Sequence, residues 1–208
     1  MIKIIKNLVS PEECADMSKE MFDLFNEGRT NEHRVENCPA AYNPPRTHTA
    51  MYKYKFQIQD AVGKKLYGTY SYGRLYRKGN VLEKHTDREA SEYGVSVVTG
   101  MSGDHQWPLY IDGTEVNLEI GDAVVYKGTE LEHWREENKN GWYTISLFFF
   151  VDADGEYKHL KDDEGGPLLA IVNKEHSSID QEILDKEFAE GRITEEIYNA
   201  NKVADGLI

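Results

Sequence analysis

The chain has 208 residues, 39% of them hydrophobic, with 13 Tyr and 7 Phe, which suits one domain with appendages rather than two full domains. Twenty-four Lys and Arg stand against 37 Asp and Glu, a formal charge of −13, which disfavours a nucleic-acid partner because such binding relies on cations that release phosphate counterions. The two cysteines, Cys14 and Cys38, form no CxxC pair, and no run approaches the roughly 18–20 apolar residues that span a bilayer; a thiolate metal site and a membrane helix are not expected.

Residues 2–9 (IKIIKNLV) read as a short strand, and the opening MIKIIKNLVSPEE lacks the apolar core and cleavage site of a signal peptide, so a cytoplasmic location is expected. Ser10-Pro11-Glu12-Glu13 announces a helix, with Ser10 as N-cap, Pro11 at the first helical position and Glu13 closing a capping box. Cys14, Met17, Met21, Leu24 and Phe25 follow at helical spacing and predict a packed face. Residues 29–50 are polar and contain Asn43-Pro44-Pro45, which predicts irregular structure, with 37–50 as a loop able to close over a substrate. Residues 51–66 lean helical, with Phe56, Val62 and Leu66 inward.

From residue 70 the character changes. Eight β-rich runs follow at 71–77, 81–87, 94–99, 107–111, 115–120, 122–127, 131–136 and 142–151, parted by Lys78-Gly79-Asn80, Asp112-Gly113, Gly121-Asp122 and Asn140-Gly141. Asp-Gly and Asn-Gly between strands signal two-residue hairpins, whose type I′ turns need positive φ. Eight short strands in this span predict an antiparallel sandwich or jelly roll, mainly β with flanking helices. The expected organisation is one domain over 1–155, its β core at about 70–151 behind a helical part at 1–69. A helical extension follows at 156–208, with helices near 178–190 and from Thr194.

His85-Thr86-Asp87 lies on a predicted strand, so the imidazole and carboxylate point to one face, about 6–7 Å apart along the backbone. His133, on the penultimate strand, is the natural third ligand. Two histidines and one carboxylate on one face of an octahedral metal leave three positions open, which suits non-haem iron(II) oxygen chemistry. An HxD pair alone is a weak signal; on a strand among eight, with the downstream histidine, it is stronger. His48, His105, His159 and His176 have no partner at ligand spacing and read as surface or loop residues.

Around these residues the stretches RLYRKGNVLEKHTDR, GDAVVYKGTELEHWRE and GWYTISLFFFVD resemble the prolyl 4-hydroxylase-like branch of the iron(II)/2-oxoglutarate dioxygenases. The matching elements are Tyr76 and Gly79 before the HxD, Gly121-Asp122 opening a strand, Tyr126 and Gly128 before His133, and the final apolar strand. The resemblance covers roughly residues 70–155. It implies a double-stranded β-helix and a metal site of His85, Asp87 and His133. It also implies Fe(II) and 2-oxoglutarate as cofactors, with ascorbate as an accessory reductant. Because Asp87 is present, hydroxylation is expected, with peptidyl proline the first substrate class and a small molecule the second.

In that family the distal carboxylate of 2-oxoglutarate pairs with an Arg or Lys about nine residues after the second histidine; here that position is Trp142. A hairpin about Asn140-Gly141 would set Lys139 opposite Trp142, His133 opposite Phe148 and Arg135 opposite Ser146, with His133, Phe148, Arg135 and Ser146 all inward. Arg135, with Ser146 beside it, is therefore the first candidate for the missing cation. Arg74 is the second, sharing a face with Tyr76, which matches a family contact to 2-oxoglutarate. Lys127 and Arg88 read as solvated. The rival to an oxygenase is a jelly-roll protein that binds a metal or ligand without catalysis, favoured by the missing cation on the last strand.

Overall fold

The computed structural model describes residues 1–32, 34–103 and 106–163. Two antiparallel sheets face one another. The larger takes β1 (Ile2–Ile5), β2 (Asn31–Glu32), β3 (Pro39–Tyr42), β4 (Leu66–Tyr76), β6 (Tyr93–Met101), β9 (Ala123–Lys127) and β11 (Tyr143–Asp152), in the order β1-β9-β6-β11-β4-β3-β2. The smaller is β5 (Leu82–His85), β7 (Leu109–Ile111), β8 (Thr114–Val116) and β10 (His133–Arg135), in the order β5-β10-β7-β8. From β4 onward, successive strands or strand pairs alternate between the sheets. That winding is the double-stranded β-helix, and its eight strands are the eight expected from residue 70 on.

The turn at Asp112-Gly113 joins β7 to β8 as a two-residue hairpin. Ile111 opposes Thr114, and both turn residues have positive φ, 48° and 77°, as type I′ requires. Asn140-Gly141 does something else. Strand β10 pairs with β5 and β7, whereas β11 pairs with β4 and β6, so these two residues lie in a crossing between sheets rather than a hairpin. Asn138 holds the crossing: its side chain donates to the Gly141 carbonyl (3.1 Å) and accepts from the Asn140 N–H (3.1 Å).

Helix α1 (Pro11–Asn26) starts as its sequence dictates, with the Ser10 hydroxyl accepting from the Glu13 N–H and Pro11 in the first turn. The Glu13 carboxylate completes no capping box. It takes Lys53 Nζ at 2.7 Å and the Tyr54 hydroxyl, tying α1 to the next helix. Cys14, Met17, Met21 and Leu24 are buried; Phe25, off that face, is exposed under Arg77.

The polar stretch at 29–50 is more regular than its prolines suggest. Pro39–Tyr42 pairs with β4, and Pro45 opens helix α2 (Pro45–Lys53) from the first turn, where its missing N–H costs nothing. Thr47 and His48 are buried, and His48 Nδ1 lies 3.2 Å from the Ser71 hydroxyl, so His48 is a core residue and 45–50 is not a closing loop. Helix α3 (Lys55–Val62) follows, with Ile58 inward and Phe56 exposed rather than buried. The helices cover the outer face of the larger sheet through Met17, Met51, Ile58, Phe148 and Phe150. The predicted C-terminal helices, His105 and His176 lie outside the described residues. Among the described residues no helix is long and apolar enough to cross a membrane.

Candidate metal centre and ligand cavity

Strand pairing brings the candidate ligands together. His133 on β10 directly opposes His85 on β5, with ring centroids 4.3 Å apart. Asp87 follows β5 in an extended segment whose N–H donates to the Gly128 carbonyl (2.8 Å). Each histidine has Nδ1 against a backbone carbonyl, Glu83 O at 2.7 Å for His85 and Leu131 O at 3.0 Å for His133. A carbonyl can only accept, so Nδ1 carries the proton and Nε2 is left as a lone pair. Both Nε2 atoms face the Asp87 carboxylate, at 3.7 Å from Oδ1 and 3.6 Å from Oδ2, and one ligand atom from each residue lies within 4.8 Å of the others.

Burial pushes the His133 imidazole down to about 4, and burial together with His133 pushes His85 below its ordinary value. Burial also raises the Asp87 carboxyl, against the field of His85, Arg34, Arg74 and Arg88. With neutral imidazoles the three groups present acceptors to one another and no donor. Such a cluster repels itself unless a cation sits among the lone pairs. The donor set of two imidazole nitrogens and one carboxylate oxygen fits iron(II), and the Nδ1–carbonyl contacts are the outer-sphere supports that fix ligand orientation.

The carboxylate is placed by a missing side chain. A Cβ on Gly128 would lie 2.6 Å from Asp87 Oδ2 and 2.6 Å from the Ser91 carbonyl. The Gly128 N–H donates to the Glu92 carbonyl (2.9 Å), so the segment is held on both sides.

A cavity of about 90 Å³ opens beside the three ligands. Tyr70, Tyr72, Arg74 and Tyr76 reach it from alternate positions of β4, and Ile145, Leu147 and Phe149 from alternate positions of β11. Six buried side-chain polar atoms among the described residues have no hydrogen-bond partner, and five of them belong to residues lining this cavity: Arg74 Nη1, Tyr76 Oη, Asp87 Oδ2, Ser96 Oγ and Arg135 Nε. Folded proteins pair nearly all buried polar atoms, so this concentration marks a place where a ligand supplies the partners.

Arg135, Arg74 and Tyr76 are therefore brought together. Arg135 is 1% exposed, donates through Nη1 to the Trp107 carbonyl and stacks 4.9 Å from the Trp107 ring and 5.4 Å from that of Tyr143. Arg74 is 5% exposed, between the rings of Tyr72 (5.1 Å) and Tyr76 (5.8 Å). The rings of Tyr76 and Trp107 touch edge to face at 4.8 Å, linking the two guanidinium groups.

Ser146 is not in this group. It opposes Gly73 and Val97 on the helix side of the sheet, with its hydroxyl 3.1 Å from that of Thr47 and 3.7 Å from Met17 Sδ. Its expected place beside Arg135 assumed pairing between β10 and β11, which lie in different sheets. Of the cations read as solvated, Lys127 pairs with Glu92 at 2.7 Å, outside the cavity. Arg88 lines it, over the Tyr70 ring at 4.6 Å and bonded to Asp163. Arg34, Tyr42, Tyr70, Tyr72 and Ser96 had no place in the sequence-based site. The alternation Tyr70-x-Tyr72-x-Arg74-x-Tyr76 was the available signal for two of these, Tyr70 and Tyr72.

No protein-family model matches the chain, and no curated protein sequence does either. Solved structures do share its fold. A prolyl-4-hydroxylase from Pseudomonas putida is 14% identical, with a TM-score of 0.55 over 71% of this chain and 91% of that one. The viral collagen prolyl hydroxylase of Paramecium Bursaria Chlorella virus-1, in its 2-oxoglutarate complex, is 14% identical, with a TM-score of 0.54 over 72% and 94%. HygX from Streptomyces hygroscopicus, with nickel and 2-oxoglutarate bound, is 12% identical, with a TM-score of 0.57 over 74% and 83%. At these identities the likeness is one of fold: the chain has the double-stranded β-helix seen in 2-oxoglutarate-iron(II) oxygenases.

Proposed function

We propose that the protein is an iron(II)- and 2-oxoglutarate-dependent oxygenase that hydroxylates an unactivated C–H bond, with His85, Asp87 and His133 as the metal ligands. The supporting observation is the gathering of unpartnered buried polar atoms about one cavity, an acceptor at the Asp87 end and donors from Tyr76 and Arg135. A dianion carrying a chelating keto acid at one end and a carboxylate at the other matches both.

Iron with 2-oxoglutarate and oxygen supplies the oxidation, releasing succinate and CO₂. The chain's own residues do the positioning. Carbonyls of Glu83 and Leu131 fix the imidazole tautomers. Arg135 and Tyr76 receive the distal carboxylate, replacing the cation that Trp142 displaces from the last strand. Arg135 is apt for this task because a guanidinium fork matches a carboxylate and is strengthened by exclusion of water. Tyr126, with its ring 4.7 Å from that of His133, and the aromatic wall of β4 keep water away from the metal side.

Two substrate classes divide the field. Resemblance to prolyl 4-hydroxylases suggests peptidyl proline, and two of the structures of like fold carry that name. The small cavity favours a small molecule, and HygX has also been seen with hygromycin B bound.

Anaerobic addition of Fe(II) and 2-oxoglutarate should give a visible metal-to-ligand absorption band, absent in His85→Ala, and aerobic addition should release succinate. A protein that binds both without turnover is a ligand-binding jelly roll instead.

A further inference from the structure

The proposed reading accounts for one of the buried arginines and leaves a surplus. Four arginines, Arg34, Arg74, Arg88 and Arg135, line the cavity, and Asp87 is the one carboxylate among its described lining residues. Asp163 at the rim neutralises Arg88. A positive interior inside a chain of net charge −13 is the reverse of what composition alone provides. Iron(II) and the 2-oxoglutarate dianion cancel one another, so loading the site with both leaves that excess standing.

The arginines come from both sheets. Arg135 is two residues beyond His133 on β10 of the smaller sheet, encased by Trp107 and Tyr143. Arg74 stands on β4 of the larger sheet, between the rings of Tyr72 and Tyr76. Arg74 has its Nη1 buried and unpartnered, on the face of β4 that lines the cavity, two strand positions from Tyr72 and four from Tyr70. Two strands over in the same sheet, Ser96 on β6 is level with Tyr72, both opposing Leu147, and turns another unpartnered hydroxyl to the same space. Once Arg135 and Tyr76 are occupied, Nη1 of Arg74 and the Ser96 hydroxyl remain without hydrogen-bond partners. A desolvated cation of that kind is retained where an anion meets it.

We propose that the substrate of this site is a small carboxylate, which Arg74 receives with Arg34 at the mouth and Ser96 along the same sheet face. This rests on the oxygenase reading above. The size follows from the depth of Arg74, which is 5% exposed and so within easier reach of a small acid than of a side chain on a folded partner. The acidic exterior does not forbid it, since charges beyond about 8 Å are screened at physiological ionic strength, whereas the arginines meet the ligand in contact.

The test uses the full chain loaded with Mn(II) and 2-oxoglutarate, and thermal shift as the readout. The probes are free amino acids, N-acetyl amino acids and short hydroxy acids, each beside its primary amide, with peptides bearing internal Asp, Glu or Pro as a further arm. At least one free acid should bind ten times more tightly than its amide. Arg74→Gln should bring that ratio near one, Arg74→Lys should keep part of it, and the 2-oxoglutarate affinity of both should stay within twofold. If Arg74→Gln does not fold, Arg34→Gln at the exposed rim should still reduce the acid preference. Equal binding of acids and amides, preference for a neutral prolyl peptide, or loss of 2-oxoglutarate affinity in Arg74→Gln overturns the proposal. An internal Asp or Glu peptide that outbinds every free acid overturns its small-molecule part. Absence of the iron–2-oxoglutarate band together with Arg74-dependent acid binding would sink the oxygenase reading and leave the carboxylate site standing.

Discussion

Gly128→Ala is the sharpest perturbation of the candidate metal centre, because it touches Asp87 without removing any ligand. The new Cβ would sit 2.6 Å from Asp87 Oδ2 and from the Ser91 carbonyl, where real Cβ atoms come no closer than 3.0 Å. A side-chain rotation could relieve the first contact but not the second, since the Ser91 oxygen is backbone. The segment is pinned by hydrogen bonds to Glu92 and Asp87 at 2.9 and 2.8 Å. A displacement of at least 0.4 Å, the difference of those two contact distances, must be absorbed. That is twice the tolerance of about 0.2 Å within which metal–ligand distances hold. Disturbing ligand placement of this kind typically costs about 10–100-fold in metal affinity, or roughly 1.4–2.8 kcal/mol. Overpacking should also lower stability by about 1–3 kcal/mol. Calorimetric titration of the metal-free protein with Mn(II) reads the first and urea unfolding the second. Gly68→Ala is the control: its Cβ would crowd only the side chains of Met51 and Tyr52, at 3.1 Å, on the helix side. It should lose stability and keep its metal. A folded Gly128→Ala protein that binds Mn(II) as tightly as the wild type would show that the carboxylate position is not set by the space at residue 128.

Arg135→Met should raise the 2-oxoglutarate Kd at least tenfold, about 1.4 kcal/mol. It should leave stability without ligand equal or higher, because a buried, incompletely paired cation is replaced by an apolar chain of similar reach; unchanged affinity would move the anchoring role to Arg74. Asp122→Asn should cost about 1–3 kcal/mol at pH 7, since the buried carboxylate accepts from Lys6, Asn7 N–H and Glu119 N–H at 2.6, 3.0 and 3.0 Å. Burial alone would raise the Asp122 carboxyl, but those hydrogen bonds outweigh it and hold it below the usual carboxylate range, so its contribution is present above about pH 4 and lost as pH falls through the folded value. The deficit of the variant, followed by urea unfolding from pH 7 to pH 3, should therefore shrink on the acid side, and a constant deficit would contradict the ionic origin. Burial, reinforced by Glu13, pushes the Cys14 thiol up to about 12, so iodoacetamide at pH 8 should leave it unmodified in the folded protein and label it after denaturation, as mass spectrometry would read.

The strands were legible because period-two alternation and positive-φ turn residues are local. All eight core runs fall on observed strands, and Asp112-Gly113 makes the turn its residues demand. Gly121-Asp122, noted as a family-like element, turns out to be a fastening of the fold, with Asp122 tying β1 to the turn before β9. Pro44-Pro45 misled for the opposite reason. A proline breaks a helix from within and starts one from its first turn, and the flanking residues do not say which applies. His48 was likewise misplaced on the surface, because its burial depends on α2 lying against β4.

The misplaced Ser146 shows where local information ends. Alternation gives the face of a strand, but partner identity depends on how the chain winds. In a double-stranded β-helix the last two strands belong to opposite sheets, so a hairpin rule applied to Asn140-Gly141 pairs residues that never meet. Arg135 nonetheless points into the cavity, because it is two positions from His133 on β10 and needs no partner strand to fix its face. The run Phe148-Phe149-Phe150 gave no help, since both faces of β11 are buried, one by helices and one by the cavity wall. Unpartnered donors are still further from local reading. Alternation nominates Arg74 and Arg135 as inward cations, but only when β4 and β10 are folded into facing sheets does their lack of carboxylate partners become a physical demand for an anion.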